Sequence, residues 1–248
     1  EAALRNFQRM HHLTETGAVG PATLVALNVT AAAKAESLRK ALAAYRRAVP
    51  PWESTFVLVQ MPAAYLEYYV GGELRRHQRT ALGRTVRDAD GARPMATPVL
   101  NSTITAVIFN PEWHVPWSIA TNELEPAIEK DPGYLARNHY RREVLGEERV
   151  RYIQSPGSHN ALGRVKFHFA NSHDVYLHDT PQKRLFRLPR RLLSHGCVRV
   201  EDAVKVATLM LNLDQGFNWE RLGRVLKSGE TTEYRLKTPI PVHLLYST

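Results

Sequence analysis

The pair Pro50-Pro51 divides this chain into two textures. Proline has no backbone N–H to donate and its ring fixes φ, so a helix arriving from the N-terminal side must stop there. Everything before the pair reads helical. Leu4, Phe7 and Gln8 fall at helical spacing, and the polar turn Thr14-Glu15-Thr16-Gly17 follows. Gly20-Pro21 then opens a second helix through Leu24, Val25 and Leu27, with proline at a favoured first-turn position. Residues 31–48 read as a linker helix, with Leu38, Leu42 and Tyr45 as its stripe and Glu36 with Lys40 as an i,i+4 pair. Residues 1–30 are too short for a stable domain alone and read as the end of a longer one.

After the prolines the pattern turns to strands. Thr55–Met61 and Tyr65–Val70 are rich in β-branched and aromatic residues, and Gly71-Gly72 turns the chain into Glu73–Leu82. Residues 85–98 form a polar loop, and Val99–Phe109 is another strand, ended by Asn110-Pro111. A helical pattern covers Asn122–Lys130, and a charged run follows at Arg141–Arg151. Val165–Ala170 and Val175–His178 are spaced to pair across the turn-rich Asn171–Asp174. Helices are expected over 201–213 and 218–228, and a final strand pair near 233–237 and 241–246. The class is α+β: a β-rich body over residues 51–248, with helices set apart and a small N-terminal helical segment.

A hydrophobic content of 44% and a charged content of 23% are ordinary for a globular chain. No apolar run is long enough to span a membrane. The formal net charge of +9 favours anionic partners. Lys and Arg are scattered, with only short clusters such as Arg141-Arg142 and Arg190-Arg191, and no nucleic-acid-binding motif is present. A polymer bearing carboxylates fits this charge as well as nucleic acid does, and nucleic acid ranks last.

Cys197 is the single cysteine, set in Ser194-His195-Gly196-Cys197-Val198-Arg199-Val200. A thiol is a poor nucleophile, so a catalytic cysteine needs a neighbour that takes its proton or lowers its pKa. His178, at the end of an expected strand, is the candidate base, and the loop 180–194 is long enough to bring Cys197 back beside it. Adjacent side chains on a strand point to opposite faces, so the Asp179 carbonyl is a better orienting group for His178 than the Asp179 carboxylate. Gly196 permits a tight turn, and the N–H groups of residues 195–197 could form an oxyanion hole. The helix expected from residue 201 would favour a thiolate, and Arg199 is placed to hold a carboxylate. A lone cysteine is more often a small buried hydrophobe, a strand histidine a core residue, and an arginine a solvated charge. Their coincidence here shifts the balance toward chemistry.

The stretches Tyr176-Leu177-His178-Asp179-Thr180-Pro181 and Ser194–Val200 resemble the active-site signature of the L,D-transpeptidases, with the YkuD-type catalytic domain. Phe109–Pro116, Pro156–Phe167 and Pro239–Val242 are similar to stretches of the large Gram-negative subgroup, the YcbB type. Residues 4–28 resemble the second half of a peptidoglycan-binding domain. The resemblance implies a mixed-sheet, sandwich-like catalytic domain that needs no cofactor and no metal. It implies that Cys197 attacks the bond between meso-diaminopimelate and the terminal D-Ala of a peptidoglycan tetrapeptide stem, with His178 protonating the departing D-Ala. An amine of a second stem, water or a free D-amino acid would then take the acyl group. His195, Gly196 and Asp179 belong to the implied catalytic signature, and Tyr176, Arg199, Ser194, Trp113 and Asn160 to the implied substrate side. Carbapenems are implied as covalent inhibitors, and the periplasm as the location, with a leader or anchor removed. Two departures stand out: the capping region at 131–155 is short or incomplete, and Asp88–Arg93 looks like an insertion.

Two rivals remain. The density of His159, His168, His173, His178, His195 and Cys197 suggests zinc, although no HExxH or paired CxxC is present. A non-catalytic wall-binding module would use the basic surface and leave the thiol idle.

Overall fold

The structure is a computed structural model that describes residues 1–11, 13–48, 53–84, 95–146 and 149–246. Three helices lead: α1 (Ala2–Met10), α2 (Pro21–Leu27) and α3 (Ala31–Ala48). The buried Gln8 joins the first two. Its amide nitrogen donates to Thr16 Oγ1 (3.0 Å), the Ala18 carbonyl (2.8 Å) and Thr23 Oγ1 (3.1 Å), and its oxygen accepts from Gly17 N–H (2.9 Å). The fully satisfied amide explains how a glutamine can be buried there.

The body begins with β1 (Phe56–Gln60), β2 (Tyr65–Val70), β3 (Glu73–Gly83) and β4 (Leu100–Phe109). A smaller unit follows: β5 (Trp113–His114), α4 (Trp117–Ile119), a π-helical turn (Ala120–Leu124), α5 (Glu125–Lys130), α6 (Tyr134–Arg137), β6 (Tyr140–Val144) and β7 (Val150–Gln154). The chain then returns to the main sheet with β8 (Val165–Phe169) and β9 (Leu177–His178), a 3-10 turn (Lys183–Arg187), β10 (Leu192–Ser194) and β11 (Val198–Val200). It closes with α7 (Ala203–Gln215), α8 (Trp219–Ser228) and β12 (Thr232–Leu245).

The main sheet closes on itself. Strands β1, β2, β3, β11, β9, β8, β4 and β12 pair in turn, and β12 returns to β1. The length of β3 allows this, since residues 73–79 pair with β2 while Thr80 and Ala81 pair with β11. A closed sheet leaves no long unpaired edge. β1–β12, β9–β11 and β3–β10 are parallel and the other pairs antiparallel, so the sheet is mixed. Period-2 alternation sends Val57, Val59, Val107, Phe167, Leu177, Val198 and Val200 into one core, where α7 adds Val206, Met210 and Leu211. The smaller unit has its own apolar cluster, built on Ala120, Leu124 and Tyr152.

The structure corrects three expectations. The two C-terminal segments are one strand, β12, and both halves pair with β4, not with each other. The register breaks between Arg235 and Ile240, where Pro239 removes a donor and the Asp214 carboxylate accepts the Lys237 and Thr238 N–H groups (both 2.8 Å). The charged run at 141–151 holds the β6–β7 hairpin, whose exposed outer face hides the strand pattern. Helix in the 117–130 segment starts at Trp117, earlier than its sequence pattern suggests. The expected insertion Asp88–Arg93 lies outside the described residues.

Leu177 is fully buried and register-paired with the equally buried Val198. Leu177→Ala should therefore destabilise the protein by about 2–5 kcal/mol, read from the midpoint shift in urea unfolding; a shift below about 0.5 kcal/mol would show that this pair does not hold β9 to β11.

Candidate active site

β9 and β11 run parallel, with Val198 opposite Leu177 and Arg199 opposite His178. Leu177, Val198 and Val200 face the core, so alternation turns Tyr176, His178, Cys197 and Arg199 to the other face. All four line one cleft of about 530 Å³. The smaller unit supplies its opposite wall through Trp113, Pro116, Ile119 and Glu123.

The nucleophile turn is held from both sides. Ser194 Oγ donates to the Cys197 carbonyl (2.5 Å) and accepts the Gly196 N–H (3.2 Å). Gly196 has φ +120°, a backbone conformation that L side chains rarely adopt. Thr97 Oγ1 donates to the Gly196 carbonyl (2.9 Å) while accepting from Gly83 N–H (2.9 Å), and Arg84 N–H donates to the Ser194 carbonyl (3.0 Å). These bonds moor the turn to the end of β3.

His178 is buried, with Nδ1 at 2.5 Å from the Asp179 carbonyl. A carbonyl can only accept, so Nδ1 carries the hydrogen and Nε2 keeps the lone pair. The Asp179 carboxylate is engaged elsewhere: it accepts from Arg164 N–H (3.0 Å) and pairs with Lys183. Burial, then the charge of Arg199, pushes the His178 pKa down to about 3, and the carbonyls of Asp179 and Leu162 oppose this without winning. Lys166 on β8 adds to the depression; it stands opposite His178 in register, with Nζ 4.1 Å from the Tyr176 ring centre. Sequence reasoning gave Lys166 no role, because only the strand order places it beside the thiol.

Burial pushes the Cys197 thiol up, and hydrogen bonding from Tyr176 with the charges of Lys166 and Arg199 only partly offsets it. Sγ lies 3.8 Å from the Asp174 carbonyl. The expectation of a lowered thiol pKa is thereby reversed for the free protein. The helix-start argument fails for a geometric reason: β11 stands between Cys197 and the first residue of α7, Ala203. Burial disfavours charge on both the thiol and the imidazole.

Burial lowers the pKa of Arg199, and its Nε has no hydrogen-bond partner among the described residues, so the guanidinium has donor capacity to offer a ligand. Burial holds the Tyr176 phenol protonated, and its oxygen engages Trp113. Two expected substrate contacts are corrected. Asn160 is fully buried, its amide nitrogen donating to the carbonyls of Pro111 (3.1 Å), Gln154 (3.1 Å) and Ser155 (2.9 Å) and its oxygen accepting from Leu162 N–H (2.8 Å). It fastens the loop between β7 and β8 and is spent there. Ser194 reaches the cleft, yet its hydroxyl is committed to the nucleophile turn. His195 lies at the cleft with Nε2 at 2.7 Å from Glu123 Oε1, a partner the sequence did not suggest. Among the described residues no group of three or more His, Cys, Asp or Glu is arranged to hold a metal ion, and no helix is long and apolar enough to cross a membrane.

A nucleophile turn set beside a buried imidazole on a closed mixed sheet defines a thiol–imidazole site. The model of the L,D-transpeptidase catalytic domain matches residues 54–242, and the chain belongs to that family. Residues 1–27 match the model described as "Putative peptidoglycan binding domain". A Haemophilus influenzae protein named "Putative L,D-transpeptidase" is 30% identical over 223 residues, covering 84% of this chain and 44% of the relative. The chain thus spans less than half the length of that relative. Among solved structures, an L,D-transpeptidase from Mycobacterium smegmatis is similar with a TM-score of 0.40 and 12% identity, covering 77% of this chain and 58% of that one. One from Xylanimonas cellulosilytica gives 0.38 and 16%, covering 98% and 78%.

A thiol raised by burial holds less thiolate at pH 7 than free cysteine does. The pH midpoint of iodoacetamide alkylation at Cys197 should therefore lie above the free-cysteine value of about 8.5. A midpoint below 7 would reveal a resting thiolate–imidazolium pair.

Proposed function

We propose that this chain is a peptidoglycan L,D-transpeptidase with Cys197 as nucleophile and His178 as base. The observation that carries the reading is the β9–β11 register, which sets both side chains on one face, with His178 Nε2 free to accept a proton. The family match supports peptidoglycan stem peptides as the substrate class.

The neutral resting pair sets the order of events. A carboxyl donor enters as a tetrapeptide stem, and its terminal carboxylate pairs with Arg199. Cys197 Sγ attacks the carbonyl between meso-diaminopimelate and D-Ala as its proton passes to His178, so general-base removal accompanies attack. The oxyanion is held by the N–H groups of His195 and Cys197, since Gly196 N–H is already bonded to Ser194. The imidazolium returns its proton to the departing D-Ala amine, leaving a thioester. A side-chain amine of a second stem then displaces Cys197 and forms a 3→3 cross-link. Tyr176 and Trp113 line the path, and Lys166 and Arg199 favour negative charge on sulfur as it leaves.

With water as acceptor the same chemistry is an L,D-carboxypeptidase, and with an idle thiol the chain is a wall-binding module. The match of residues 1–27 supports peptidoglycan as partner. Peptidoglycan places the proposed work in the periplasm, in wall cross-linking and maintenance of cell shape.

Wild type and Cys197→Ala should be incubated with disaccharide-tetrapeptides and the products weighed by mass spectrometry. A dimer that has lost one D-Ala, made by wild type alone, is expected; a monomer shortened by D-Ala would indicate the carboxypeptidase, and no product from either protein would indicate the binding module. Carbapenem treatment should add one drug mass to wild type and none to Cys197→Ala; an adduct on both proteins would place the reactive group elsewhere.

A further inference from the structure

We propose that Glu123 and His195 form a second acid–base dyad, separate from His178, that takes a proton from the acceptor ammonium before acyl transfer. The inference rests on the function proposed above and concerns its second half.

An alkyl amine with a pKa near 10 arrives as an ammonium and cannot attack until it loses a proton. His178 is poorly suited to that task. It is buried and faces the charges of Arg199 and Lys166, which repel an arriving ammonium. It is also needed to return a proton to sulfur when the thioester breaks. His195 differs on each count. It stands at the cleft, two residues before the nucleophile, with its side chain 25% exposed. Glu123 Oε1 lies 2.7 Å from Nε2. A carboxylate accepts only, so Nε2–H donates to it and Nδ1 is left as the basic nitrogen. Glu123 also stabilises the imidazolium as it forms, the part an orienting carboxylate plays beside a histidine base.

The backbone supports the same assignment. Glu123 lies in the π-helical turn Ala120–Leu124, between α4 and α5. Such single-turn π segments recur at functional sites because they re-aim a side chain out of the helical register. The other titratable groups lining this cleft are Arg84, His173, Asp174, Tyr176, His178, Cys197 and Arg199. Of these, His173 is the other imidazole open to solvent, and among the described residues it is paired with no carboxylate.

The protons balance. The acceptor ammonium gives one proton to His195 Nδ1 and becomes an amine. The amine forms the C–N bond as the C–S bond breaks. Its second proton passes through His178 to the departing sulfur, which becomes the thiol. His195 then releases its proton to solvent. Here His195 is the catalytic residue and Glu123 the positioning residue.

Glu123→Gln tests this with little disturbance, because the Gln oxygen still accepts from Nε2–H while the charge is lost. In single turnovers with a tetrapeptide donor, the D-Ala burst reports acylation and dimer formation reports transfer. The burst should stay within about twofold, and transfer should fall about 10²-fold or more. The wild-type rise of transfer with pH should be displaced in the variant. His195→Gln should lose at least as much transfer as Glu123→Gln, and His173→Gln should lose none. Equal losses in burst and transfer would make Glu123 a cleft-shaping residue and overturn the dyad. Unchanged transfer with an unchanged pH profile would overturn it too. A wild-type protein that releases no D-Ala would instead remove the proposed function, an outcome distinct from failure of the dyad alone.

Discussion

The site depends on one interaction, the in-register parallel pairing of β9 with β11. Leu177 and Val198 are its apolar anchors, and their burial decides which way every neighbour points. A slip of one residue would turn Cys197 or His178 into the core, since strand faces alternate. Neither strand exceeds three residues, so hydrogen bonds along them cannot hold the register alone. It is fixed from outside, by β3 and β8 on the flanks and by the core beneath.

The electrostatics follow from that placement. Putting a histidine and a thiol in a half-closed cleft penalises charge on both, and two cations beside them tilt the remainder toward negative sulfur. Burial thus keeps the Cys197 thiol from ionising as readily as a free cysteine does. The smaller unit completes the environment by walling the cleft and bringing Glu123 to His195.

Much of the fold was legible because its signals are local. The Gly71-Gly72 turn and the strands beside it follow from glycine and from β-branched runs, and the β8–β9 pairing from the turn residues at 171–174. What stayed hidden depends on distant partners. Strands β10 and β11 are too short for a periodic signal, and β6 and β7 are masked by charge on an exposed face. For the site, residue types and spacing pointed to Cys197, His178 and Arg199, which the fold brings to one cleft, and alternation alone pointed to the Asp179 carbonyl. Asn160 was misread because a polar residue in a matched motif can serve the loop and not the ligand. The placement of Lys166 and Glu123 was invisible, since only tertiary structure puts them near residues 195–197.

The mooring of the nucleophile turn has a consequence for the order in which the molecule is made. Thr97 and Gly196, like β3 and β11, are about a hundred residues apart in the chain. Contacts of such separation form late and slow a fold's completion. Until those contacts form, the β9–β11 pairing that sets Cys197 and His178 on one face has no flanking support. The cleft that holds both side chains comes into being only when the sheet has closed, so burial of this thiol is itself a report of finished folding.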